Sequence, residues 1–287
     1  MWTRRGAGKE RSGLSLIPDY RVNFHDKSAY CSSLASIACS SGARANKTPS
    51  DPTPLLNELQ SAQDAQAVQE QVLQALAPNQ RTPARYWKSG GPSRQSEIAN
   101  TALLESGIWS SPAIAGEHAF NIRLIEIEIA FKTNRSVTPQ EAATMTQEEG
   151  HQLIDALTVS IEVVDSRWEQ NDKASPLLKL ADMQSHGALV LGNWLPYSER
   201  EIYRDWSKQR CTVKIGNHAP LEFIGTHSLQ DPRWVIPFWV RHATAGNQTL
   251  PGGSVVTTGS WCGMPAAQNG DLVIAQFDGI GGASIQL

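Results

Sequence analysis

The stretch Ile125-Glu126-Ile127-Glu128-Ile129-Ala130-Phe131-Lys132 decides the fold. Its period of two is typical of a β-strand, in which successive side chains point to opposite faces. Glu126 and Glu128 therefore share one face, and the three isoleucines share the other, which can be buried. Two carboxylates separated by roughly 6–7 Å of strand rise can converge on one divalent cation if a third carboxylate joins them. A half-exposed antiparallel strand without a site has the same alternation, so both interpretations stay open at this point.

A second β-branched run is also interrupted by an acid. It reads Ser160-Ile161-Glu162-Val163-Val164-Asp165-Ser166-Arg167-Trp168, and Glu162 lies in its middle. Glu162 is the candidate for the third carboxylate, because carboxylates from separate segments are the usual ligands of hard divalent cations.

Composition limits the class of protein. The chain has 287 residues, 40% hydrophobic and 18% charged, with a net charge of −3, as in ordinary globular proteins. Lys and Arg are scattered, which disfavours nucleic acid as a partner. There is no apolar run of 18 residues, which disfavours a membrane-spanning helix, and the four cysteines form no CxxC. We expect a cytoplasmic protein that binds neither membranes nor nucleic acid.

The sequence suggests three regions. Residues 1–53 begin with several arginines and few acids, which is typical of a poorly ordered extension; a targeting peptide shares this bias, so both interpretations stay open. Residues 54–110 are predicted to form a helical N-terminal layer. Residues 111–287 are predicted to form a β-rich, metal-binding catalytic domain.

Local signals predict most elements. The pattern becomes helical from Pro54, a glycine-flanked bend carries Lys88, and a shorter helix is expected over 93–104. Thr138 and Thr146 each precede an N3 glutamate, which predicts capped helix starts and either one helix or two short ones, running on to Leu157. The second half is predicted to be mostly strands, with a helix after Asp231-Pro232 that Pro237 should kink and that stops at Gly246-Asn247. The strands are expected at 188–191, 212–215, 221–224, 255–260 and 272–277.

Taken in order, four segments resemble the hydratase/decarboxylase branch of the fumarylacetoacetate hydrolase superfamily, of the 2-keto-4-pentenoate hydratase type. The match covers roughly residues 55–287, and the order and spacing of the two acid-bearing segments are its specific part. The four segments are Trp87-Lys88-Ser89-Gly90, Ile125 to Phe131, Ile161 to Arg167, and Thr258-Gly259-Ser260 with the later Gly270-Asp271.

The resemblance implies an α+β fold: a mixed, bent β-roll or sandwich like the C-terminal domain of fumarylacetoacetase, with a small helical N-terminal layer. It also implies a homo-oligomer, a small 2-oxo acid substrate and a divalent cofactor, Mg²⁺ or Mn²⁺. Carried over by position, Glu126, Glu128 and Glu162 are the metal ligands. Carboxylate oxygens suit such hard cations independently of the resemblance.

The function implied is a metal-dependent carbon–oxygen lyase, a hydratase of a 2-hydroxydienoate or 2-oxo acid such as 2-keto-4-pentenoate, in aromatic catabolism. Lys88 resembles the family's active-site lysine and is the predicted catalytic residue, binding a carboxylate or transferring a proton if burial lowers its pKa. Ser185, Thr258, Gly259 and Ser260 are the predicted substrate-binding residues. A surface lysine and a plain β-turn are the alternatives at these positions.

One departure weakens the choice of reaction. Relatives carry Asp-Phe-Gly before the Glu-x-Glu strand, whereas this chain reads Ser106-Gly107-Ile108-Trp109, without the acid used there in proton transfer or water activation. Glu117 or His118 is a candidate substitute. The alternatives are decarboxylation of a 4-oxalocrotonate-like acid, hydrolysis of a C–C bond in an acylpyruvate, and a catalytically degenerate relative.

Overall fold

The computed structural model describes residues 48–53, 56, 59–80 and 82–287. The predicted extension at 1–53 lies outside the described residues except for 48–53, where Ser50 forms a bridge with Trp168. No helix among the described residues is long and apolar enough to cross a membrane.

Six α-helices occur in the described chain, most of them short. Side-chain hydroxyls cap several of their first turns, beginning with Ser61, which accepts from the backbone N–H of Asp64. The helices are α1 (Ala62–Leu76), α2 (Pro139–Thr144), α3 (Gln147–Gln152), α4 (Pro176–Ala181), α5 (Glu199–Ile202) and α6 (Ile236–Ala243).

Thirteen strands among the described residues form two mixed sheets. The larger sheet has the order β2-β1-β11-β5-β6-β7-β3, with β8 pairing with β6, and the smaller one has the order β10-β9-β12-β13-β4. The strands are β1 (Tyr86–Gly90), β2 (Ala99–Ala102), β3 (Ile108–Ser110), β4 (Ala113–Ile114), β5 (Leu124–Thr133), β6 (Ile154–Val164), β7 (His186–Leu191), β8 (Leu195–Pro196), β9 (Arg210–Ile215), β10 (Leu221–Ile224), β11 (Val255–Thr257), β12 (Leu272–Phe277) and β13 (Gly281–Gln286).

The main core lies between the two sheets. Ile125, Ile127 and Ile129 of β5 are fully buried there, among apolar side chains of β6, β9 and β12. A second, smaller cluster joins α1 to α4 around Val68 and Trp168. The face of β5 that carries the isoleucines is thus the inner face of the fold, as their alternation predicts.

Several element predictions are confirmed. Thr138 and Thr146 both form complete capping boxes, and each begins a separate six-residue helix, so the two-helix alternative is correct. The strands predicted in the second half occur, although the one expected over 255–260 ends at Thr257, and positive φ angles at Gly246 and Asn247 end the segment after α6.

The helix start predicted at Pro54 lies outside the described residues, and the first helix within them begins at Ala62, where Ser61 supplies the cap. Other predictions are wrong. The helix expected over 93–104 is a turn followed by β2, which pairs with β1; pairing within a sheet overrides a weak helical pattern. The segment up to Leu157 is already β6, and Pro237 lies in the first turn of α6, where proline is tolerated, so it makes no kink.

The division into three regions stays a prediction. Of the described residues in 54–110, one segment forms α1, while β1, β2 and β3 belong to the larger sheet. The region expected to be a helical layer therefore contributes both a helix over the sheet and strands within it.

Gly187, at the start of β7, lies too close to its neighbours for any side chain. A Cβ there would lie 2.4 Å from the carbonyl oxygen of Val163 and 2.9 Å from Cβ of Asp165. We expect Gly187→Ala to lower the free energy of unfolding by about 1–3 kcal/mol, because the backbone atoms that the new Cβ would meet have to move. Urea unfolding measures this, with Gly90→Ala as the control, since a Cβ there meets nothing closer than 3.8 Å. Equal stability of the two variants would contradict the prediction.

Candidate metal centre

The pairing of β5 with β6 brings the three predicted carboxylates together. Glu126 lies directly opposite Glu162, and Glu128 lies opposite Ser160. One carboxylate oxygen from each of the three glutamates lies within 4.8 Å of the other two. The condition set by the Glu-x-Glu spacing, a third acid from another segment, is therefore met.

The burial of the glutamates distinguishes a metal site from an ordinary half-exposed strand. The residues Glu128 and Glu162 are 1% and 0% exposed, and the side chain of Glu126 is 17% exposed. Like charges directly opposite each other destabilise a sheet, and in a dry environment water cannot screen them. The strand is therefore not an ordinary half-exposed one, and the cluster needs positive charge nearby.

Lys88 supplies one positive charge. It lies in β1 and not in the predicted loop bend, and its Nζ is 2.7 Å from Oε1 of Glu162 and 3.9 Å from Oε2 of Glu126. The same ammonium donates to the backbone carbonyl of Gln184 over 3.3 Å. Lys88 is thus a buried member of the cluster, which excludes the alternative of a surface lysine.

The pKa values follow from burial and mutual charge. Burial and the neighbouring carboxylates raise the pKa of Glu126 to about 8 and that of Glu128 to about 7, although Lys88 acts against the shift. Burial alone would raise the pKa of Glu162, but Lys88 and His186 together bring it below its ordinary value. Burial would lower the pKa of Lys88, but the three carboxylates raise it well above its ordinary range. Lys88 is therefore an ammonium, and the condition for proton transfer, a lowered pKa, is not met in the metal-free chain.

Hydrogen bonds hold Glu128 from the side of β11. The hydroxyl of Thr257 donates to its carboxylate, and this bond and the nearby backbone of Gly259 both act to lower the pKa of Glu128. The hydroxyl of Ser160 lies 2.8 Å from that of Thr257, within hydrogen-bond distance. Because these bonds fix the rotamer of Glu128, its carboxylate is oriented before any cation binds.

The residues present fit a divalent cation. When all three carboxylates are ionised, they and the ammonium leave two negative charges, which one divalent cation neutralises. All donors are carboxylate oxygens, as hard cations require. Oε2 of Glu162 is buried without a hydrogen-bond partner among the described residues, an arrangement that a metal–oxygen bond would resolve. The predicted class of cofactor, a divalent cation, is thereby confirmed, while the ligand role of each glutamate stays a prediction.

Ser185 follows an unusual turn beside the cluster. Met183, Gln184 and Ser185 all have positive φ angles of 51° to 57°, a left-handed conformation that costs about 1–2 kcal/mol per residue. This turn aims the Gln184 carbonyl at Lys88, and the Gln184 side chain donates to Thr101. The hydroxyl of Ser185 is buried without a hydrogen-bond partner among the described residues. Its predicted contact with substrate stays a prediction.

The turn after β11 contains the other three predicted substrate-binding residues. The Thr258 hydroxyl donates to the carbonyl of Ile129, and Gly259 adopts a φ of +106°, which strongly favours glycine. The Ser260 hydroxyl donates to the carbonyl of Gly263 at 2.6 Å, so it closes its own turn. The hydroxyl donors of Thr258 and Ser260 are thus both used on backbone carbonyls, while the backbone of Gly259 lies beside Glu128.

The family model described as fumarylacetoacetate (FAA) hydrolase C-terminal matches residues 108–286, more than half of the chain. The chain belongs to the fumarylacetoacetate hydrolase family. This confirms the resemblance on which the site residues were carried over. No curated protein matches the sequence.

Solved structures share the family's fold at low identity. The 4-oxalocrotonate decarboxylase from Pseudomonas putida G7, complexed with calcium and acetate, has a TM-score of 0.73 at 16% identity, over 93% of this chain and 99% of that chain. The same enzyme complexed with magnesium and adipate gives 0.73 at 17% identity, over 89% and 97%. The structure of Cg1458 gives 0.51 at 14% identity, over 70% and 74%. The predicted fold class, a mixed α+β fold with bent sheets, is confirmed.

The sequence did not predict several contacts of the carboxylate cluster in this chain. His186, the residue after Ser185, places its Nδ1 3.2 Å from Oε1 of Glu162. A Cβ on Gly107 would lie 3.3 Å from the other ring nitrogen, so the imidazole lies beside the segment that lacks the family's acid. Thr257 and Gln184 were missed because a strand register and a backbone carbonyl leave no signal in sequence.

Proposed function

We propose that the chain is a metal-dependent lyase that hydrates a small 2-hydroxydienoate or 2-oxo acid such as 2-keto-4-pentenoate. The observation that carries this proposal is the buried cluster of three carboxylates within 4.8 Å, with Lys88 2.7 Å from Glu162. A buried surplus of negative charge has little structural value, whereas it suits a cation that binds an anionic acid.

Glu126, Glu128 and Glu162 would hold Mg²⁺ or Mn²⁺, which in proteins keeps positions open to substrate oxygens. When bound, such a cation polarises a 2-oxo group and stabilises negative charge that develops on it. The bond from Thr257 keeps Glu128 in place, and those from Lys88 and His186 keep Glu162 in place. Two of the three proposed ligands are therefore held before substrate arrives.

Lys88 would orient the substrate. Its ammonium carries a full positive charge and already lies within reach of two ligands, so it would attract the carboxylate of a 2-oxo acid toward the cluster. Ser185, Thr258, Gly259 and Ser260 are proposed to line the same space. Among them, the buried Ser185 hydroxyl has spare hydrogen-bonding capacity for a substrate oxygen.

Decarboxylation of a 4-oxalocrotonate-like acid is the second candidate. The absence of the family's acid near Gly107 favours it, since loss of CO₂ does not need a residue to activate water. The same buried ammonium and carboxylate cluster would serve this reaction. Hydrolysis of an acylpyruvate and a degenerate, non-catalytic relative are the remaining alternatives.

One assay separates these functions. The protein is incubated with 2-hydroxypenta-2,4-dienoate, a 4-oxalocrotonate-like acid or an acylpyruvate, each with Mg²⁺, Mn²⁺ or EDTA. We expect metal-dependent loss of the dienoate with formation of the 4-hydroxy-2-oxo acid. Release of CO₂ alone would favour the second candidate, and pyruvate released from the acylpyruvate alone would overturn the proposal. Binding of Mn²⁺ with no turnover of any substrate would indicate a degenerate relative.

We also propose that the protein is a homo-oligomer in the cytoplasm. Apolar side chains are exposed on both edge strands of the smaller sheet: Ile114 of β4 is 78% exposed, and Ile224 of β10 is 59% exposed. Exposed sheet edges with apolar side chains favour association. Sedimentation velocity tests this, and a monomer at micromolar concentration would contradict it.

A further inference from the structure

We propose that His227 is a positioning residue that holds the metal ligand Glu128 through the backbone of Thr258 and the hydroxyl of Thr257. This inference rests on the proposed function, because it assigns Glu128 to the cation. His227 lies on the loop after β10, is 3% exposed and touches none of the three carboxylates by hydrogen bond.

The hydrogen bonds of His227 fix its tautomer. Its Nδ1 accepts the backbone N–H of Leu229 at 3.3 Å, so this nitrogen carries no proton. The other nitrogen, Nε2, lies 2.8 Å from the carbonyl oxygen of Thr258 and must therefore be the donor. Burial lowers the pKa of His227 to about 4, consistent with a neutral ring. Because both nitrogens are engaged, His227 is neither a metal ligand nor a general base.

The bond from His227 holds the residue that directly follows Thr257. The carbonyl that accepts from His227 belongs to Thr258, whose hydroxyl donates to the carbonyl of Ile129, while the hydroxyl of Thr257 donates to the carboxylate of Glu128. The bond from His227 therefore fixes the backbone that positions the Thr257 hydroxyl. This matters because the next residue, Gly259, has no side chain to limit rotation of the peptide group.

Packing keeps the imidazole at this peptide. A Cβ on Gly259 would lie 3.6 Å from Nε2 of His227, so the ring rests against the bare Cα. The other face of the ring packs against Trp261, with centroids 5.4 Å apart. The preceding residue, Thr226, donates to the carbonyl of Trp261 at 2.6 Å and ties the loop to the same turn. The loop is thus bound to the turn at two successive residues.

The test compares two amides that replace different nitrogens of the ring. The amide of Gln reaches the position of Nε2, whereas that of Asn reaches only the position of Nδ1. We expect the affinity of His227→Gln for Mn²⁺ to lie within about threefold of that of the native protein. His227→Asn should bind Mn²⁺ about 10–100-fold more weakly, which is the usual effect of replacing a residue that orients a metal ligand. Binding is measured by electron paramagnetic resonance of free Mn²⁺, without substrate.

Ser228→Ala is the matched control. It removes a further anchor of this loop, the hydroxyl that donates to the carbonyl of Gly91 at 2.7 Å, and should leave the affinity for Mn²⁺ unchanged. Equal affinity of the Asn and Gln variants would overturn the inference, as would ¹⁵N spectra of the metal-free protein with the proton of His227 on Nδ1. Failure of the native protein to bind Mn²⁺ would instead reject the proposed function itself, so the two failures are distinguishable.

Discussion

Replacing Glu126 with glutamine is expected to abolish metal-dependent turnover, by about a thousandfold or more. A cation supplies several kcal/mol of transition-state stabilisation, and each 1.36 kcal/mol is tenfold in rate. Binding of Mn²⁺ should weaken about a hundredfold, because loss of a ligand should lower the affinity at least as much as loss of a residue that hydrogen-bonds to a ligand. The metal-free variant should unfold at the same temperature as the native protein or a higher one. Glu126 lies directly opposite Glu162, and burial and the neighbouring carboxylates raise its pKa to about 8, so folding at neutral pH must either protonate this group or bury its charge, a cost that glutamine removes.

The opposite signs of these effects distinguish a ligand from a structural residue. Titration calorimetry with Mn²⁺ and thermal unfolding in EDTA measure them on the same sample. Asp155→Asn is the control, since Asp155 is an exposed carboxylate on β6 that pairs only with Lys132 among the salt bridges of the described residues. Unchanged Mn²⁺ affinity in Glu126→Gln, or a metal-free protein less stable than native, would contradict the assignment.

Replacing Lys88 with methionine should strongly destabilise the metal-free protein. The change keeps the length of the side chain but removes the positive charge that lies 2.7 Å from Glu162. Removal of one partner from a buried ion pair typically costs about 3–5 kcal/mol. Saturating Mn²⁺ should restore most of this loss, because a ligand that binds only the folded state stabilises it and here also replaces the missing charge. Urea unfolding with EDTA or Mn²⁺ measures both effects.

The pH dependence of this variant has a definite sign. Folding raises the pKa of Glu126 from 4.5 to about 8 and that of Glu128 from 4.5 to about 7. Between pH 4.5 and these raised values, the folded state therefore binds more protons than the unfolded state. Their contribution to stability is therefore complete below pH 4.5 and is lost as the pH rises through 7 and 8. Lys88 opposes the raised values, so the deficit of Lys88→Met should be larger at pH 8 than at pH 5.

Lys132→Met is the control for this comparison. Lys132 lies on the same face of the larger sheet and pairs with Asp155 at 3.2 Å, but both side chains are partly exposed, so we expect a change of about 1 kcal/mol or less. A metal-free Lys88→Met protein as stable as Lys132→Met at pH 8 would show that Lys88 does not hold the cluster.

The sequence predicted what depends on local pattern. The alternation in β5 placed Glu126 and Glu128 on one face and the isoleucines in the core, and the two capping boxes located α2 and α3. It failed where sheet pairing decides. Residues 93–104 have a weak helical pattern, but the backbone N–H and C=O groups of β1 need partners, and pairing with them favours the strand β2 over a helix.

Geometry across strands could not be predicted from the sequence. Nothing local reveals that Glu126 faces Glu162, because strand order and register depend on the whole sheet. Lys88 was found through the family resemblance but was placed on a loop, since its strand is short and ends in glycine. The contribution of Gln184 is a backbone carbonyl, which every residue type possesses, and only the left-handed turn gives it a role.

The parallel pair of β1 and β11 has a consequence for biogenesis. It joins Lys88 to Thr257, which lie far apart in the sequence, while the glutamates lie on the adjacent strands β5 and β6 between them. Contacts so distant in sequence form late, because a long loop must close first. We therefore expect the ammonium that binds Glu162 and the hydroxyl that binds Glu128 to join the carboxylates only after most of the larger sheet has assembled.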